Sequence, residues 1–375
     1  MTGFLRWCRN TMSETARMVR ADAALYLFVL AYTVAGLFLL QLTGTEDSVT
    51  YWVYVRRWAI IFILFFPMVA IIIDAARVAH RLNARRGLAM RRAFSPARMA
   101  TLASGVALLM VMVLFQGTFT SLKNAMTYWR DGFQYDRIQA DIDRLLHFGV
   151  DPWRLLYSFG EHDVIRTMVE WNYNVLWFVL CFGLLFFVAT SPRAAAIRGR
   201  YITCFMLTWI VCGNVFATLF LSAGPAFYGE VTGDATRFAE QLAFLARGAD
   251  SPNSAVAYQA YLWSLHEAGA TSFGSGISAF PSVHVALVAM NAFFIAEYSR
   301  RLGIAAFAYV AFIIASSVYL AWHYAIDGYV SIAIVAVIYV LVKRYARTGM
   351  ADRRRPISAP GPSAHPETEA AATAS

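Results

Sequence analysis

The sequence predicts an all-α, polytopic membrane protein with about eight transmembrane helices. Three observations carry that expectation. First, 59% of its 375 residues are hydrophobic and only 15% are charged, against about 25% charged in a typical soluble domain; the mean hydropathy of +0.52 points the same way. Second, eight apolar stretches each approach the ~20 residues that a bilayer span needs. Third, lysine and arginine gather in every second connection between those stretches, as the positive-inside rule requires of short cytoplasmic loops.

The stretches lie near 24–43, 57–76, 100–118, 171–190, 202–221, 282–299, 303–319 and 323–342. The last two form one apolar run from Gly303 to Val342 with a single internal glycine, Gly328, and no proline. A continuous helix there would be about 60 Å long, twice the hydrocarbon thickness. The run must turn, and the polar Ser316, Ser317 and Trp322-His323 mark where.

Basic residues fix the orientation. The N-terminus carries Arg6, Arg9, Arg17 and Arg20, and the connection after the second stretch carries seven arginines between Arg77 and Arg98. Arg193, Arg198 and Arg200 follow the fourth, Arg300 and Arg301 the sixth, and Lys343, Arg344 and Arg347 the eighth. Both termini are therefore expected in the cytoplasm. The net charge of +9 is accounted for by topology, so a nucleic-acid partner is not expected.

The opposite connections are long. Residues 119–170 contain Ile138, Ile142, Leu145 and Leu146 at helical spacing, and Asp151-Pro152 is a helix-start signal. Interfacial helices on the outer leaflet are expected there. Residues 222–280 form the second outer segment, long enough for a lid or binding loop. The expected division is an N-terminal two-helix region with its basic loop (1–98), a core (99–345) and a Pro/Ala/Ser-rich disordered cytoplasmic tail (346–375). Cys8, Cys181, Cys204 and Cys212 lack CxxC spacing, so neither a disulfide framework nor a zinc site is expected.

Three polar clusters fall at the outer ends of spans. Lys123 and Arg130 follow the third, Ser282 and His284 open the sixth, and His323 and Asp327 join the last two. Histidine and aspartate four residues apart share a helix face, where the carboxylate fixes the tautomer and raises the basicity of the ring. Pro281 at the first helical position would turn the N–H groups of Ser282 and Val283 outward, toward an anion. His284 would protonate a leaving oxygen, and the two cations suit a phosphate. Singly, each residue reads as ordinary: a bundle histidine or a snorkelling cation. Together on one side they suit phosphoryl transfer through a histidine, with no metal and no cofactor.

At these residues the sequence resembles the type 2 phosphatidic acid phosphatase superfamily, whose signature is Lys-x6-Arg-Pro, Pro-Ser-Gly-His and Ser-Arg-x5-His-x3-Asp. Here the blocks read Lys123 to Arg130 followed by Asp131, Pro281-Ser282-Val283-His284, and Ser316-Ser317 with His323 and Asp327. "ISAFPSVHVA", "WHYAIDGY", "LSAGPAFYG" and "LLHFGVDPWRLL" look more like the inositol phosphorylceramide synthase and sphingomyelin synthase branch, which also lacks the glycine and the arginine. The resemblance covers roughly Phe119 to Tyr345. It implies a six-helix catalytic core preceded by two extra spans, with His323 as nucleophile, Asp327 orienting it and His284 as proton donor. It also implies Lys123, Arg130 and Ser282 as phosphate ligands. The missing third-block arginine favours transfer over simple hydrolysis.

The expected activity is therefore transfer or hydrolysis of a lipid-linked phosphate or phospholipid, with a lipid hydroxyl or water as acceptor. The expected location is a bacterial inner (plasma) membrane with the site facing the periplasm. The competing reading is a non-catalytic transporter or lipid-binding membrane protein whose buried charges line a path. A serine protease built on Ser278 ranks below both, because that residue precedes the sixth span.

Overall fold

The computed structural model describes residues 2–81 and 85–352. Among these the protein is helical, with no strand. An amphipathic helix, α1 (Thr2–Ala21), leads into α2 (Ala23–Leu42). There follow α3 (51–81), the short basic α4 (Arg86–Ala93) and the 34-residue α5 (Pro96–Trp129). The first outer segment holds α6 (Asp136–Leu146) and α7 (Pro152–Gly160). Then come α8 (Asp163–Thr190) and α9 (Arg198–Leu219). The second outer segment holds α10 (Ala239–Ala246) and α11 (Ala255–Glu267). The chain closes with α12 (Val283–Tyr298), α13 (Arg300–Tyr319) and α14 (Ala325–Asp352).

Seven of the described helices are long and apolar enough to cross a membrane: α2, α3, α5, α8, α9, α13 and α14. The eighth expected stretch is α12, apolar but only 16 residues long. Its length follows from its place. α12 packs against α8, α9, α13 and α14, and every residue from Val285 to Ala292 is buried. A helix shielded from lipid by its neighbours need not match the bilayer thickness. It also tolerates a polar side chain, and Asn291 accepts a 2.7 Å hydrogen bond from Tyr201. α12 turns into α13 through Ser299, whose hydroxyl accepts from the Leu302 N–H.

The N-terminal spans are not a separate body. Leu25 and Val29 of α2 and Tyr54, Trp58, Phe62 and Phe66 of α3 belong to the same buried cluster as residues of α12 and α14. The arginine-bearing N-terminus forms a helix, α1, that lies beside α5, and Trp7 donates to the Phe94 carbonyl. Residues 353–375, most of the expected disordered tail, lie outside the described residues, as do Leu82 to Ala84 of the basic loop. Helix α14 itself continues to Asp352.

Helix α6 inverts the usual amphipathic arrangement. Ile138, Ile142, Leu145 and Leu146, the residues at helical spacing, are exposed, which is the face an interfacial helix would turn to lipid. Its polar stripe of Asp136, Gln139 and Asp143 is buried. That buried stripe reaches two other parts of the chain. Asp136 accepts from the backbone N–H groups of Ala223 and Gly224 and from the Tyr324 hydroxyl, each at 2.8 Å. Asp143 accepts from the N–H groups of Ala325 (2.9 Å) and Ile326 (3.0 Å). These are first-turn donors of α14 that the helix itself leaves unpaired. Asp151 stands before Pro152 as expected, but its carboxylate binds Arg237 of the second outer segment at 2.9 Å.

Candidate active site

The turn between α13 and α14, residues 320–324, is held at both ends by the outer segments. The last carbonyls of α13 would be orphaned by the helix. Instead Val318 O accepts from Gln241 (2.7 Å), Tyr319 O from the Tyr157 hydroxyl (3.1 Å) and Leu320 O from Gln259 (2.9 Å). On the other side, Asp143 caps α14. Gly224 lets the 222–227 loop approach this turn. Its φ is +98°, and a Cβ there would lie 2.6 Å from the Trp322 carbonyl oxygen.

Within the turn, His323 Nδ1 lies 3.1 Å from Asp327 Oδ2. The geometry differs from the expected one. His323 precedes α14 rather than riding on it, and Asp327 occupies the third helical position. From there its carboxylate reaches back to the Tyr324 N–H at 3.1 Å, as the acidic member of a capping box does. The same carboxylate thus orders the helix start and holds the ring. With Nδ1 bonded, Nε2 has no partner among the described residues, and His323 lines a cavity of about 660 Å³.

His284 lines the same cavity from the first turn of α12. Its ring is stacked on Tyr173 (centroids 4.6 Å apart, planes 9° apart) and lies 4.0 Å from the Trp177 ring. Trp177 also donates its indole N–H to the His284 carbonyl at 3.0 Å. Tyr173 sits in a π-helical turn of α8, Asn172–Leu176. Gly213, from a second such turn in α9, Val211–Phe216, lines the cavity too. Local π-helical turns re-aim side chains and recur at functional sites.

Lys123 of α5 completes the polar wall. No ion-pair partner stands against it among the described residues. Gly276 lies beside it, where a Cβ would come within 3.0 Å of Lys123 Cγ. Arg57 of α3 and Asn174 of α8 add polar groups, Ser278 contributes from a loop outside any helix, and the rest of the lining is mostly aromatic and aliphatic.

Two expected phosphate ligands stand elsewhere. Arg130 caps the end of α5, seven residues beyond Lys123 and about 10 Å further along the axis; it is not part of the cavity wall. Ser282 is fully buried and is the N-cap of α12, so Pro281, expected at the first helical position, stands before the helix instead. Its hydroxyl accepts from the Val285 N–H and its own N–H donates to the Asp327 carbonyl. The first-turn amides left without a partner among the described residues are those of Val283 and His284. Asp327 is buried behind His323 rather than exposed to the cavity.

Sequence reasoning missed Tyr173 and Trp177, although "WNYNVLW" concentrates aromatic and amide side chains at one end of a span. It also missed Asp136 and Asp143. Their spacing of seven places them on one face of α6, opposite the apolar residues.

The family profile of the PAP2 superfamily matches residues 139–341. The chain belongs to the PAP2 superfamily. That membership suggests phosphatase- or phosphotransferase-type activity on phosphorylated lipids. The matched segment contains Ser282, His284, His323 and Asp327, while Lys123 and Arg130 precede it. No curated protein and no solved structure matches the chain. Among the described residues no group of three or more His, Cys, Asp and Glu side chains is placed to hold a metal ion.

Proposed function

We propose that this PAP2 protein transfers or hydrolyses a lipid-linked phosphate through a phosphohistidine at His323. The single observation that carries the reading is the His323–Asp327 hydrogen bond of 3.1 Å behind a cavity that His284 and Lys123 also line. Asp327 fixes the ring with a proton on Nδ1, so the lone pair of Nε2 faces the cavity. Nε2 attacks phosphorus, the bond to the leaving oxygen breaks, and His284 supplies the proton that oxygen needs. Lys123 and the free amides at the start of α12 neutralise charge on the phosphoryl oxygens. A lipid hydroxyl or water then attacks the phosphohistidine, passing its proton to the His284 ring, and the bond between phosphorus and Nε2 breaks to release His323.

The reading places the site at the periplasmic face, residues 99–345 as the catalytic core and residues 1–98 as an addition that completes its wall. The arginine distribution supports this orientation. So does helix length: α12 at 16 residues is about 24 Å long, against ~30 Å of hydrocarbon. With its basic-flanked end at the cytoplasmic surface, His284 lies recessed below the opposite one. The aromatic lining suits an acceptor that is itself a lipid, as in the inositol phosphorylceramide synthase-like branch, and Val283 and Ser317 stand where that branch departs from the phosphatases. The test is the purified protein with lipid phosphates and no divalent metal. The reading requires phosphate or head-group release by the wild type that His323→Ala abolishes; equal release by both proteins defeats it.

A further inference from the structure

Almost nothing apolar holds α6 on the protein. Among the described residues, Ala140 alone of this helix belongs to the buried hydrophobic cluster. The attachment is polar instead. Besides the bonds to Asp136 and Asp143, Gln139 donates to the Phe220 carbonyl at 3.1 Å, and the Ala140 carbonyl accepts from Arg237 at 2.8 Å. Each such bond replaces one to water, so its net contribution is small. Hydrophobic burial is what normally outweighs the entropy of ordering a helix, and here the protein supplies little of it.

The apolar side chains of α6 face away from the protein, and Phe148, just past its end, is 98% exposed. Two observations say what covers them. The first is depth. His147 Nε2 lies 3.0 Å from the hydroxyl of Tyr329, the fifth residue of α14. α14 is one of the helices long and apolar enough to span, so the end of α6 is level with the second turn of a span. The second is charge. On the flank of α6 between its two faces, Arg137 donates to the Thr232 carbonyl and Arg144 to the Gly149 carbonyl. Neither forms an ion pair among the described residues, and both charges stand beside the apolar stripe, where cations meet lipid phosphates.

We propose that the leaflet on the cavity's side is the partner of this face. Acyl chains bury Ile138, Ile142, Leu145, Leu146 and Phe148, and that burial seats the carboxylates of α6 on the 223–224 loop and on the first turn of α14. The order of the His323 turn then depends on the membrane around it, because whatever binds only the seated α6 stabilises the seated state. The inference rests on the proposed function only in treating that turn as catalytic; lipid contact and ordering are independent of turnover.

The experiment uses the purified full chain in nanodiscs of phosphatidylethanolamine and phosphatidylglycerol. Irradiation of a Leu145→benzoylphenylalanine variant is expected to cross-link the chain to lipid. Cross-linking to a second copy of the chain, or none to lipid, overturns the inference. Hydrogen exchange gives the second reading. Leu145→Gln combined with Leu146→Gln is expected to accelerate exchange at Ala325 and Ile326 by about 10–100-fold, the equivalent of one leucine's burial. The interior amides of α12 should not change. Leu145→Ile with Leu146→Ile should match wild type. Ile304→Gln, at an exposed position of α13, controls for any loss of lipid contact and should leave both amides alone. In an Asp143→Ala background the link is already cut, so the two glutamines should add no more than about two-fold. Unchanged exchange at Ala325 and Ile326, equal acceleration throughout α12, an Ile304→Gln effect of the same size, or a full further effect in Asp143→Ala overturns the inference. Both expected results in a protein without His323-dependent release would overturn the proposed function and leave this inference standing.

Discussion

His323 Nδ1 and Asp327 Oδ2 are 3.1 Å apart, and the same carboxylate oxygen accepts from the Tyr324 N–H. One buried side chain therefore sets both the ring's orientation and the first turn of α14. Asp327→Asn keeps the shape but puts an amide where a charge stabilised the ring. We predict a loss of turnover on the order of 10²–10⁴-fold with helicity by circular dichroism unchanged. A variant with more than half the wild-type rate would remove Asp327 from the mechanism.

Among the described residues His284 is held by rings rather than by hydrogen bonds to its ring nitrogens, and Trp177 does two jobs at once. Trp177→Phe keeps a ring beside the imidazole but loses the donor to the His284 carbonyl. The expected stability cost is about 1 kcal/mol. Trp177→Ala also removes the stacking surface, and should cost about 3–5 kcal/mol. Thermal unfolding in detergent separates the two; similar midpoints for both variants would contradict the account of the stack.

Gly224 bears on the His323 turn through the approach of its backbone to Trp322. Gly224→Ala faces both a φ of +98° and a carbonyl 2.6 Å from the new carbon. The strain, about 1–3 kcal/mol, is expected to displace the turn and lower activity more than stability. An alanine variant as active as wild type would show that the loop gives way without moving His323.

Asp136 and Asp143 have a pH signature. Burial holds both carboxyls above their usual range, against the lowering effect of the N–H groups they accept from. The folded protein thus binds their protons more tightly than the unfolded chain. Their contribution is greatest below the unfolded value, near 4, and declines as pH rises through the raised folded value. Acidification from neutral pH toward that value should hold or raise the unfolding midpoint, and Asp136→Asn with Asp143→Asn should flatten the trend. A wild-type midpoint that falls on mild acidification, and a flat one in the double variant, would reverse the sign. Asp143→Ala at neutral pH leaves two N–H groups of α14 without partners, at about 1–3 kcal/mol each, and faster hydrogen exchange at Ala325 and Ile326 reports it.

The helices were legible because hydropathy alone dictates them: the expected stretch 24–43 is α2 (Ala23–Leu42), and 303–319 is α13 (Arg300–Tyr319). The turn in the final apolar run was legible from length. Its position was less so, because Ser316 and Ser317 bond back to the Phe312 and Ile314 carbonyls and stay inside α13. The neighbourhood of His323 and Asp327 follows from local spacing. The clamps on the turn do not, since Asp143 and Ala325 are 182 residues apart and no short-range pattern records their meeting. The inward polar face of α6 was hidden for a related reason. An amphipathic pattern gives two faces, and only tertiary contact decides which one meets protein.

The cavity draws Lys123 from α5 and Arg57 from α3, both upstream of residue 139, where the superfamily match starts. Anyone trimming the gene to its recognisable portion would retain both imidazoles and Asp327 while discarding the two cations, Arg57 and Lys123, that line the cavity with them. Expression boundaries should be drawn from the bundle's packing rather than from the extent of family likeness.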